Sequence, residues 1–552
     1  MIRVDTLLVF AFCLVVLTAL CSGDVPASQS NNQWFKDGVS TVKKHLLQRP
    51  NTKPAKNLII FVGDGCDINT NTAGRILKGQ LKGQVGEKGW LSYEEFPYTG
   101  LSKTYTTNRQ GSDSAGTANA MFTGVKTRSA MIGVNEEVVT NKCETLTEDR
   151  KVDSILKLAE EAGMATGFIT SMRLTHATPA NLYAHSASRY WESDKEMVSR
   201  GYGNTSCKDM AQQLVDFQGS VGDGIEVVMG GGRRSFLPNT TRDPEHVNKT
   251  GERYDGRNLI QEWLNKREGS VYAWNKTQFD AVDPKTTKHF LGMFESSHMQ
   301  FAIDRDEDVG GEPSIAEMVE KAVSILKNND NGKGFFLAVE AGLIDIGHHN
   351  GIARQALNEV VNLEEGVAKA VEMTDKEDTL IISTADHGHV FTLTGYPDIN
   401  SPIFGLMKQD GEVKLALNDN KPYTILGYMN GPGAVKGVRA NLTGVDTGAK
   451  DFKQQALYIG YDYDEAHGSQ DVGIYSRGPW AHLLTGVVEQ NVIFHVMDHA
   501  LCLSSSKQGT CSKPGARGGP MGSYFSSYNS FGENFHVNLH KLMLTTFCWP
   551  PF

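Results

Sequence analysis

Short, continuous apolar runs recur along the chain, and each one ends near glycine or an acidic residue. Runs of about five or six apolar residues without alternation are typical of strands buried on both faces of a parallel sheet. The runs with this pattern are Asn57–Val62, Ala165–Thr170, Ile225–Met229, Phe335–Val339 and Leu380–Thr384. We therefore predict a strand at each of these places.

Segments with helical spacing of apolar residues lie between and before these runs. They are Trp34–Leu47, Val152–Ala162 with Gly163 as its stop, and the long Ile352–Met373. Strands that alternate with helices predict an α/β fold, in which a mostly parallel central sheet is covered by helices on both faces.

The pattern changes between about Gly395 and Asp464, where Gly, Asn, Asp and Tyr are frequent and helical spacing is poor. We interpret this stretch as a small inserted subdomain, rich in loops or β structure, that forms a crown on the main domain. The main domain is predicted to span residues 34–511. Residues 512–552 are rich in Gly and Ser and are interpreted as an irregular tail.

The first residues indicate export from the cell. Arg3 precedes an uncharged run from Leu7 to Leu20, and small and polar residues follow as far as Gly23. A membrane span needs about 20 apolar residues, so this shorter run favours a signal peptide over residues 1–23. An N-terminal anchor helix is the alternative. We expect an extracellular protein, either secreted or attached to the outer face of the plasma membrane.

Composition agrees with a secreted globular protein: 39% of residues are hydrophobic and 21% are charged. The net charge of −10 gives no basic footprint for nucleic acid. Cys13 and Cys21 lie in the signal segment, and in an oxidising compartment some of the other six cysteines should pair. Those six are Cys66, Cys143, Cys207, Cys502, Cys511 and Cys548. Glycosylation sequons occur at Asn204, Asn239, Asn248, Asn275 and Asn441.

Three of the predicted strands end in residues of the types that bind metal ions. Ligands of open α/β sheets bind at the carboxyl ends of the strands, Asp, Glu and His suit zinc, and oxygen ligands suit magnesium. Any one such residue is more often a helix cap or an ordinary core residue, but three clusters together predict a metal centre. They are Asp64; Glu340, Asp345, His348 and His349; and Asp386, His387 and His389, with His467 in a later polar segment.

Asp113 and Ser114 begin a run of small residues that suits a helix and extends to Ala120. Ser114 would lie at the amino end of that helix, where free N–H groups and the helix dipole favour a phosphate or an alkoxide. The ordinary alternative is a serine that caps the helix.

These motifs together resemble those of the alkaline phosphatases, especially the animal type, and they follow in the same order from about Trp34 to Cys511. The matching segments are Phe61-Val-Gly-Asp-Gly65, Asp113-Ser-Ala-Gly-Thr-Ala118, His176-Ala-Thr-Pro179, Val339-Glu340, Ile344-Asp-Ile-Gly-His-His349, Thr384-Ala-Asp-His-Gly-His389, His467 and Arg477-Gly-Pro479. The resemblance implies a Rossmann-like core and an enzyme that hydrolyses phosphate monoesters to an alcohol and inorganic phosphate.

The resemblance also implies two zinc ions and one magnesium ion, with ligands that carry over position by position. The first zinc matches Asp345, His349 and His467; the second matches Asp64, Ser114, Asp386 and His387; magnesium matches Asp64, Thr178 and Glu340. A phosphoserine would form on Ser114, because metal coordination makes its hydroxyl a nucleophile. Arg189 would bind phosphate through its planar fork of donors, Asp113 would hold Arg189, and His176 would lie just behind the magnesium ligands.

A calcium site is also implied, with Glu245, Glu295, Glu312 and the carbonyl of Phe294 as ligands, although this chain has two extra residues before Glu312. The alternative is that these are acidic residues of ordinary surface loops.

Three positions depart from the family pattern. Cys66 replaces a usual methionine, Ile346 replaces a histidine common in vertebrate members, and Thr178 replaces a serine that would offer the same hydroxyl oxygen. The family disulfides match Cys143–Cys207 and Cys502–Cys511, which leaves Cys66 and Cys548 without obvious partners.

The tail leaves the mode of attachment open. Ser526 and Ser527 fit the small residues of a lipid-anchor signal, but the segment Leu542–Phe552 is short and ends in Trp-Pro-Pro-Phe. A GPI anchor and free secretion are therefore both retained. The resemblance further implies a homodimer, with the helix Trp34–Leu47 as a candidate contact.

Two other functions compete with a phosphate monoesterase. One is a phosphodiesterase or sulfatase-like hydrolase with a related metal site, which a comparison of diester and monoester substrates would separate. The other is a surface binding protein without activity, which would be free to lose metal ligands, and none of the matched positions is lost. The physiological phosphate ester is not predicted.

Overall fold

The strands and helices of the computed structural model are described for residues 25–217, 223–460 and 462–504. The strands are β1 (Asn57–Gly63), β2 (Tyr98–Lys103), β3 (Ala165–Arg173), β4 (Val227–Gly231), β5 (Ser270–Ala273), β6 (His289–Met293), β7 (Phe335–Ala341), β8 (Thr379–Ala385), β9 (Gly388–His389), β10 (Phe391–Leu393), β11 (Lys408–Gln409), β12 (Glu412–Val413), β13 (Leu426–Asn430), β14 (Ala456–Tyr458), β15 (His467–Gly468), β16 (Val472–Arg477) and β17 (Gly486–Glu489). The α-helices are α1 (Ala27–Ser30), α2 (Gln33–Leu46), α3 (Ile68–Leu81), α4 (Ser114–Thr123), α5 (Ile155–Glu161), α6 (Ala177–Ala180), α7 (Asp194–Ser199), α8 (Met210–Asp216), α9 (Leu259–Asn265), α10 (Lys276–Ala281), α11 (Ile315–Asn329), α12 (Leu343–His349), α13 (Ala353–Met373) and α14 (Val492–Leu501).

One ten-stranded sheet organises the fold, in the order β17-β2-β16-β8-β1-β7-β3-β4-β6-β5. All its pairings are parallel except those of β16, which runs antiparallel to both β2 and β8. The predicted α/β class with a mostly parallel sheet is therefore confirmed. The five predicted strands are all present, and they form the adjacent set β8-β1-β7-β3-β4 at the middle of the sheet.

The central strand β1 shows why its sequence is apolar without interruption. Leu58, Ile60 and Val62 point into the core on one face of the sheet, where α4, α5 and α14 pack. Ile59 and Phe61 point into the core on the other face, under α11 and α13. All five side chains are buried, and each contributes about 1.5–3 kcal/mol by leaving water.

Helix bounds follow local capping residues. The helix predicted over Val152–Ala162 begins three residues late, as α5, because the Ser154 hydroxyl accepts the N–H of Lys157 at 3.1 Å and fixes the start. The long predicted helix is α13. The N-terminal helix α2 buries none of its residues, and Trp34 is 73% exposed.

The stretch 395–464 carries only short strands in its described residues. β13 pairs with β10 and β14, and β11 pairs with β12 in a small hairpin. Its apolar side chains, including Ile403, Ile425 and Leu426, form a buried cluster with apolar residues of α3 and of the first turns of α13. This stretch therefore has the loop-rich β character that its composition predicted.

Cysteines and sequons can be located in part. Cys143 and Cys207 form a disulfide, as the family resemblance implied, and Cys66 is a buried free thiol. Cys511 and Cys548, like the signal segment and the tail, lie outside the described residues. Four of the sequon asparagines are exposed, but Asn275 is half-buried and caps α10 by accepting the N–H of Gln278. None of the helices in the described ranges is long and apolar enough to cross a membrane.

Two glutamates are buried together at the amino ends of β3 and β4, at the opposite end of the sheet from the predicted metal ligands. Glu226 Oε2 accepts the N–H of Thr166 at 2.6 Å, and the Thr166 hydroxyl donates to Glu160. Burial raises the pKa of Glu160 to about 7, and burial followed by the charge of Glu160 raises the pKa of Glu226 well above its usual value. The ionised pair is therefore unfavourable in the folded state.

Replacement Glu160→Gln is expected to stabilise the protein at alkaline pH but not at about pH 5. A carboxyl whose folded pKa is raised contributes stability that is lost as pH rises from its unfolded value of 4.5 through about 7. At about 1.36 kcal/mol per pKa unit, the gain at pH 8 is roughly 3 kcal/mol. Thermal unfolding across this pH range measures it. Glu161→Gln, an exposed neighbour, is the control, and parallel curves for Glu160→Gln and wild type would contradict the expectation.

Candidate metal centre

The predicted ligands come together because they follow adjacent parallel strands. Asp64 follows β1, Glu340 is the second-last residue of β7, and Asp386 follows β8. Thr178 is reached through the turn after β3. Since carboxyl ends of parallel strands meet at one edge of the sheet, residues more than 300 positions apart in the chain share one buried site.

Two further elements complete this edge. Helix α12 begins directly after β7 and carries Asp345 and His349, which are four positions apart and therefore lie on one face. His467 lies in β15, which pairs with β9, so that His467 is directly opposite His389.

Ser114 is the first residue of α4, as predicted. Its cap is Asp113, whose carboxylate accepts the N–H of Gly116 at 3.4 Å, so capping does not occupy the Ser114 side chain. The Ser114 hydroxyl oxygen is buried and lies 3.4 Å from Asp64 Oδ1 and 3.3 Å from His387 Nε2. The serine therefore faces the candidate ligands rather than its own helix.

The three residues predicted for the first zinc converge on one point. Asp345 Oδ1 lies 3.2 Å from both His349 Nε2 and His467 Nε2, and the two Nε2 atoms are 3.0 Å apart. The Nδ1 atoms of both rings lie beside backbone carbonyls, that of Glu465 at 2.5 Å and that of Ser112 at 2.7 Å.

These carbonyls fix the tautomers, and the tautomers indicate a cation. A carbonyl only accepts, so each Nδ1 carries a proton, and in the neutral ring, which is the form that binds a metal ion, each Nε2 presents a bare lone pair. Two lone pairs and a carboxylate oxygen that face one another at this distance repel unless a positive charge lies among them. An imidazole oriented by a carbonyl on its far nitrogen is the usual arrangement of a zinc ligand.

The residues predicted for the second zinc form a buried group beside the first. The ligand atoms of Asp64, Asp386 and His387 lie within 4.8 Å of one another, and all three side chains are fully buried. His387 Nε2 is 3.3 Å from Asp64 Oδ1 and 3.2 Å from Asp386 Oδ2. Thr117 holds Asp386 in place by donating its hydroxyl at 3.1 Å.

The predicted magnesium ligands contain unpartnered buried oxygens. Asp64 Oδ2, Thr178 Oγ1 and Glu340 Oε1 have no hydrogen-bond partner among the described residues. A buried polar oxygen without a partner costs about 1–3 kcal/mol, and three in one place fit the oxygen set of a hard cation. His176 lies beside them, its ring nitrogen within 4.8 Å of the Asp64 and Glu340 oxygens.

Arg189 lies beside the serine and is held in place. Its Nη1 donates to Asp113 Oδ2 at 3.0 Å, which is the contact predicted for Asp113. Its Nη2 lies 3.1 Å from Nε2 of His176, whose pKa is lowered well below the usual value by burial and then by Arg189. His176 is therefore neutral and can accept a hydrogen bond from the guanidinium.

The centre has an excess of buried negative charge. Burial raises the pKa of Asp64 well above its usual value, and the neighbouring Asp386, Asp345 and Glu340 raise it further. Burial likewise raises the pKa of Glu340 to about 7. Carboxylates in such a site stay ionised only when cations compensate them.

The sequence named His389 among the possible ligands without giving it a role, and it did not predict Glu465 or Thr170 as members of this centre. His389 Nε2 lies 3.0 Å from Asp345 Oδ1, and its Nδ1 lies 2.5 Å from Glu465 Oε2, so His389 orients a predicted zinc ligand. The Thr170 hydroxyl similarly donates to Glu340. The Asp-His-Gly-His spacing was the available signal for His389, whereas Glu465 and Thr170 give none.

His348 belongs to the ligand types noted in the sequence, but it lies apart from the ligand atoms. Its Nδ1 is 2.8 Å from the Tyr428 hydroxyl and its Nε2 is 3.1 Å from the Thr70 hydroxyl. Both ring nitrogens of His348 are therefore engaged in hydrogen bonds with hydroxyl groups. The unusual Cys66 is buried, with its sulfur 3.4 Å from Asn71 Oδ1, and burial raises the pKa of its thiol. It remains a neutral thiol and a poor metal ligand.

A second acidic group lies where the calcium site was predicted. Glu245, His246 and Glu295 have ligand atoms within 4.8 Å of one another, and His246 Nε2 is 2.9 Å from Glu295 Oε2. Glu312 is 3% exposed, and its Oε2 has no partner among the described residues. The carbonyl of Phe294, which directly precedes Glu295, is part of the same turn after β6.

A serine hydroxyl among buried carboxylates and imidazoles, at the carboxyl edge of a parallel sheet, defines a metal-dependent hydrolase. A sequence model of one such family, described as alkaline phosphatase, matches residues 55–503. The chain belongs to the alkaline phosphatase family, and it is accordingly a phosphatase that acts on phosphate monoesters.

Curated relatives from animals agree over nearly the whole chain. The tissue-nonspecific alkaline phosphatase of Gallus gallus is 43% identical over 508 residues, covering 90% of this chain and 95% of that protein. The Homo sapiens protein of the same description is 41% identical over 504 residues, covering 89% and 93%. The alkaline phosphatase of Gadus morhua is 42% identical over 484 residues, covering 86% and 97%.

Solved structures of bacterial enzymes share the fold. The alkaline phosphatase of Thermus thermophilus has a TM-score of 0.58 at 22% identity, covering 87% of this chain and 96% of that one. The enzyme of the Antarctic bacterium TAB5 has a TM-score of 0.55 at 19% identity, covering 82% and 99%.

Proposed function

We propose that this enzyme hydrolyses phosphate monoesters through a phosphoserine on Ser114, at a centre of two zinc ions and one magnesium ion. The observation that carries the proposal is the position of the Ser114 hydroxyl. It is buried at the start of α4, between the Asp64 and His387 ligand atoms, and Arg189 lies beside it.

The residues present fit the three ions. Asp345, His349 and His467 would hold one zinc ion, and Asp64, Asp386, His387 and Ser114 would hold the second. The unpartnered oxygens of Asp64, Thr178 and Glu340 suit magnesium. Bound metal ions would activate the serine and the water and would stabilise charge on the attacking and leaving oxygens.

The side chains of the chain perform the remaining tasks. Ser114 Oγ attacks phosphorus, the alcohol leaves, and water then hydrolyses the Ser114 phosphate ester to give inorganic phosphate. Arg189 orients the phosphate because its planar fork pairs with two of the oxygens at once. Asp113 fixes that fork, and the short Asp113-to-Ser114 link keeps the arginine in register with the nucleophile.

Wild-type enzyme is expected to prefer p-nitrophenyl phosphate over bis-p-nitrophenyl phosphate by about a thousandfold or more in kcat/KM. A monoester has three unesterified oxygens, so two remain for the fork of Arg189 when the third faces the metal ions, whereas a diester has two and leaves only one for the fork. Arg189→Ala should lower the monoester value by roughly a hundredfold and change the diester value much less. Steady-state kinetics on both substrates measures this.

Arg128→Ala, which removes an exposed guanidinium bonded only to the carbonyl of Glu136, is the matched control. A preference for the diester in wild type would move the function to a phosphodiesterase. An unchanged substrate ratio in Arg189→Ala would remove Arg189 from phosphate binding.

Calcium at the second acidic group is part of the same proposal. Glu245, Glu295, Glu312 and the Phe294 carbonyl would be the ligands. The support is the grouping of Glu245 with Glu295 and the buried Glu312 Oε2, which has no partner among the described residues. Magnesium at the main centre is supported by a solved mutant of the TAB5 enzyme, which has Mg bound in its M3 site.

The proposals for export and for assembly rest on the sequence features described above. A signal peptide over residues 1–23 would direct the protein to the cell exterior, where the Cys143–Cys207 disulfide is stable and the exposed sequons are accessible. A homodimer would cover α2, whose apolar side chains are exposed in the single chain. Free secretion and a lipid anchor both remain consistent with the described residues.

A further inference from the structure

Glu465 is buried beside the first zinc site, although it is not among the predicted ligands of that ion. It is the first residue after the inserted stretch 395–464, and it is 1% exposed. Its carboxylate lies within 4.8 Å of ring nitrogens of both His349 and His389. A carboxylate at this depth needs hydrogen-bond partners for both of its oxygens, and those partners indicate what the residue does.

Both carboxylate oxygens of Glu465 are engaged. The Oε2 atom lies 2.5 Å from His389 Nδ1, and the Oε1 atom accepts the N–H of Val390 at 2.8 Å. The other ring nitrogen of His389, Nε2, lies 3.0 Å from Asp345 Oδ1. The Glu465 side chain therefore reaches a predicted zinc ligand, Asp345, through a single imidazole ring.

The protons along this row of groups have a defined order. A carboxylate oxygen and a ring nitrogen at 2.5 Å must have a proton between them, so the contact of Glu465 with His389 holds one proton, whichever atom carries it. If Nε2 of His389 were bare, its lone pair would face the acceptor oxygen of Asp345 and repel it. The ring therefore presents an N–H group to Asp345, and this hydrogen bond fixes the direction of the ligand carboxylate.

The backbone of Glu465 holds a second predicted ligand of the same ion. Its carbonyl accepts a hydrogen bond from Nδ1 of His349 at 2.5 Å, and its N–H donates to the backbone carbonyl of His349 at 3.1 Å. Within the described ranges, Glu465 makes no hydrogen bond to the side chains predicted for the second zinc. Its contacts are therefore directed at the first zinc site alone.

The inserted stretch holds Glu465 in its position. Asn430, at the end of β13, accepts the N–H of Ala466 through its side-chain oxygen at 3.0 Å. The next residue, Gly431, approaches so closely that a Cβ atom there would lie 3.0 Å from the Cβ of Glu465. The insert is therefore connected to the first zinc site through Glu465.

We propose that Glu465 is a positioning residue of the first zinc site, which directs Asp345 through His389 and His349 through its backbone. This inference rests on the zinc centre of the proposed function, and it adds a residue that links the inserted stretch to zinc retention. Groups that orient metal ligands contribute about 10–100-fold to metal affinity. Loss of the Glu465 carboxylate should therefore weaken one of the two zinc sites and leave the other unchanged.

Zinc release from the loaded enzyme tests the proposal. The full-length protein, loaded with zinc and magnesium, is titrated with the chromogenic chelator pyridylazoresorcinol, and the zinc released per chain is measured. In Glu465→Ala, the apparent dissociation constant of one of the two zinc ions should rise about 10–100-fold, and that of the other should stay as in wild type. Asp464→Ala, which changes the exposed neighbouring acid, should release both ions as wild type does.

Two conservative variants separate a positioning role from a merely structural one. In Glu465→Gln, the amide oxygen can accept from Val390 and the amide nitrogen can donate to Nδ1 of His389, so zinc affinity should return to within about threefold of wild type. Glu465→Asp keeps the charge, but its side chain is one methylene too short for the contact with His389. It should lose zinc selectively, as Glu465→Ala does, and it decides the question if Glu465→Ala fails to fold.

Three results would overturn the role of Glu465. They are wild-type zinc affinity in both Glu465→Ala and Glu465→Asp, an equal weakening of both zinc ions in these variants, and a Glu465→Gln enzyme that binds zinc no better than Glu465→Ala. In each case a wild type with two zinc ions and phosphatase activity would leave the proposed function standing. Wild type that binds no zinc would instead overturn the proposed function itself.

Discussion

Replacement Ser114→Ala is expected to lower kcat/KM for p-nitrophenyl phosphate by roughly three to five orders of magnitude. The Ser114 hydroxyl is the nucleophile that the proposed function requires, and its oxygen lies 3.4 Å from Asp64 and 3.3 Å from His387. Alanine removes that oxygen without disturbing the helix start, because the cap of α4 is Asp113. Steady-state kinetics and covalent labelling with ³²P-phosphate at low pH measure the two consequences.

The matched control is Ser112→Ala, two residues away. The Ser112 hydroxyl donates to the backbone carbonyl of Asp113, so its loss removes a local hydrogen bond and leaves the centre intact. Zinc content should be measured for both variants. A Ser114→Ala enzyme that is metal-loaded and still labelled or nearly fully active would reject a phosphoserine on this residue and leave direct attack by water.

The central sheet was predictable because its strands carry a strong physical signal. β1, β3, β7 and β8 are buried on both faces, so selection for burial leaves an uninterrupted apolar run in each. Asp64, Glu340 and Asp386 were predictable for a related reason, since each follows such a run directly. Because these strands are parallel, the three ligand clusters at their carboxyl ends meet in one site.

The outer strands gave a weaker signal. β2 mixes buried, partly buried and exposed positions, and its buried residues are Gly100 and Ser102. β16 includes Gly473 and Ser476 within a mixed sequence. Their neighbours and direction are set by tertiary pairing, in which β16 runs antiparallel between β2 and β8. Local propensity does not encode such pairing.

Residues that act through other residues were also missed, because their roles exist only in three dimensions. His389 and Glu465 are 76 positions apart, and they meet because β9 pairs with β15. The sequence does not distinguish a polar residue on the surface from a buried one that orients a ligand, because that difference depends on the surrounding fold.

Removal of metal by dialysis against a chelator is expected to reduce phosphatase activity below about one per cent of the initial value, with recovery on addition of zinc and magnesium together. The same treatment should lower the melting temperature by about 10 °C, because uncompensated buried carboxylates destabilise a fold by several kcal/mol. Burial and mutual repulsion raise the pKa values of Asp64 and Asp386, and burial raises that of Glu340 to about 7. Differential scanning calorimetry with metal analysis measures the change.

The melting temperature of the metal-free protein is expected to depend on pH. A carboxyl with a raised folded pKa loses stability as pH rises through that value, so the melting temperature of the metal-free form should fall between about pH 5 and pH 8. The loaded form should change much less, because bound cations keep the same carboxylates ionised at every pH. Ser114→Ala is the control, since it has no activity to lose yet keeps the buried acids, and its metal-free form should lose stability as wild type does. A metal-depleted wild type that melts at the same temperature as the loaded enzyme would show that the acids at this edge of the sheet are compensated without metal. The residues would then not form a metal centre, and the proposed metal-dependent reaction would be rejected as well.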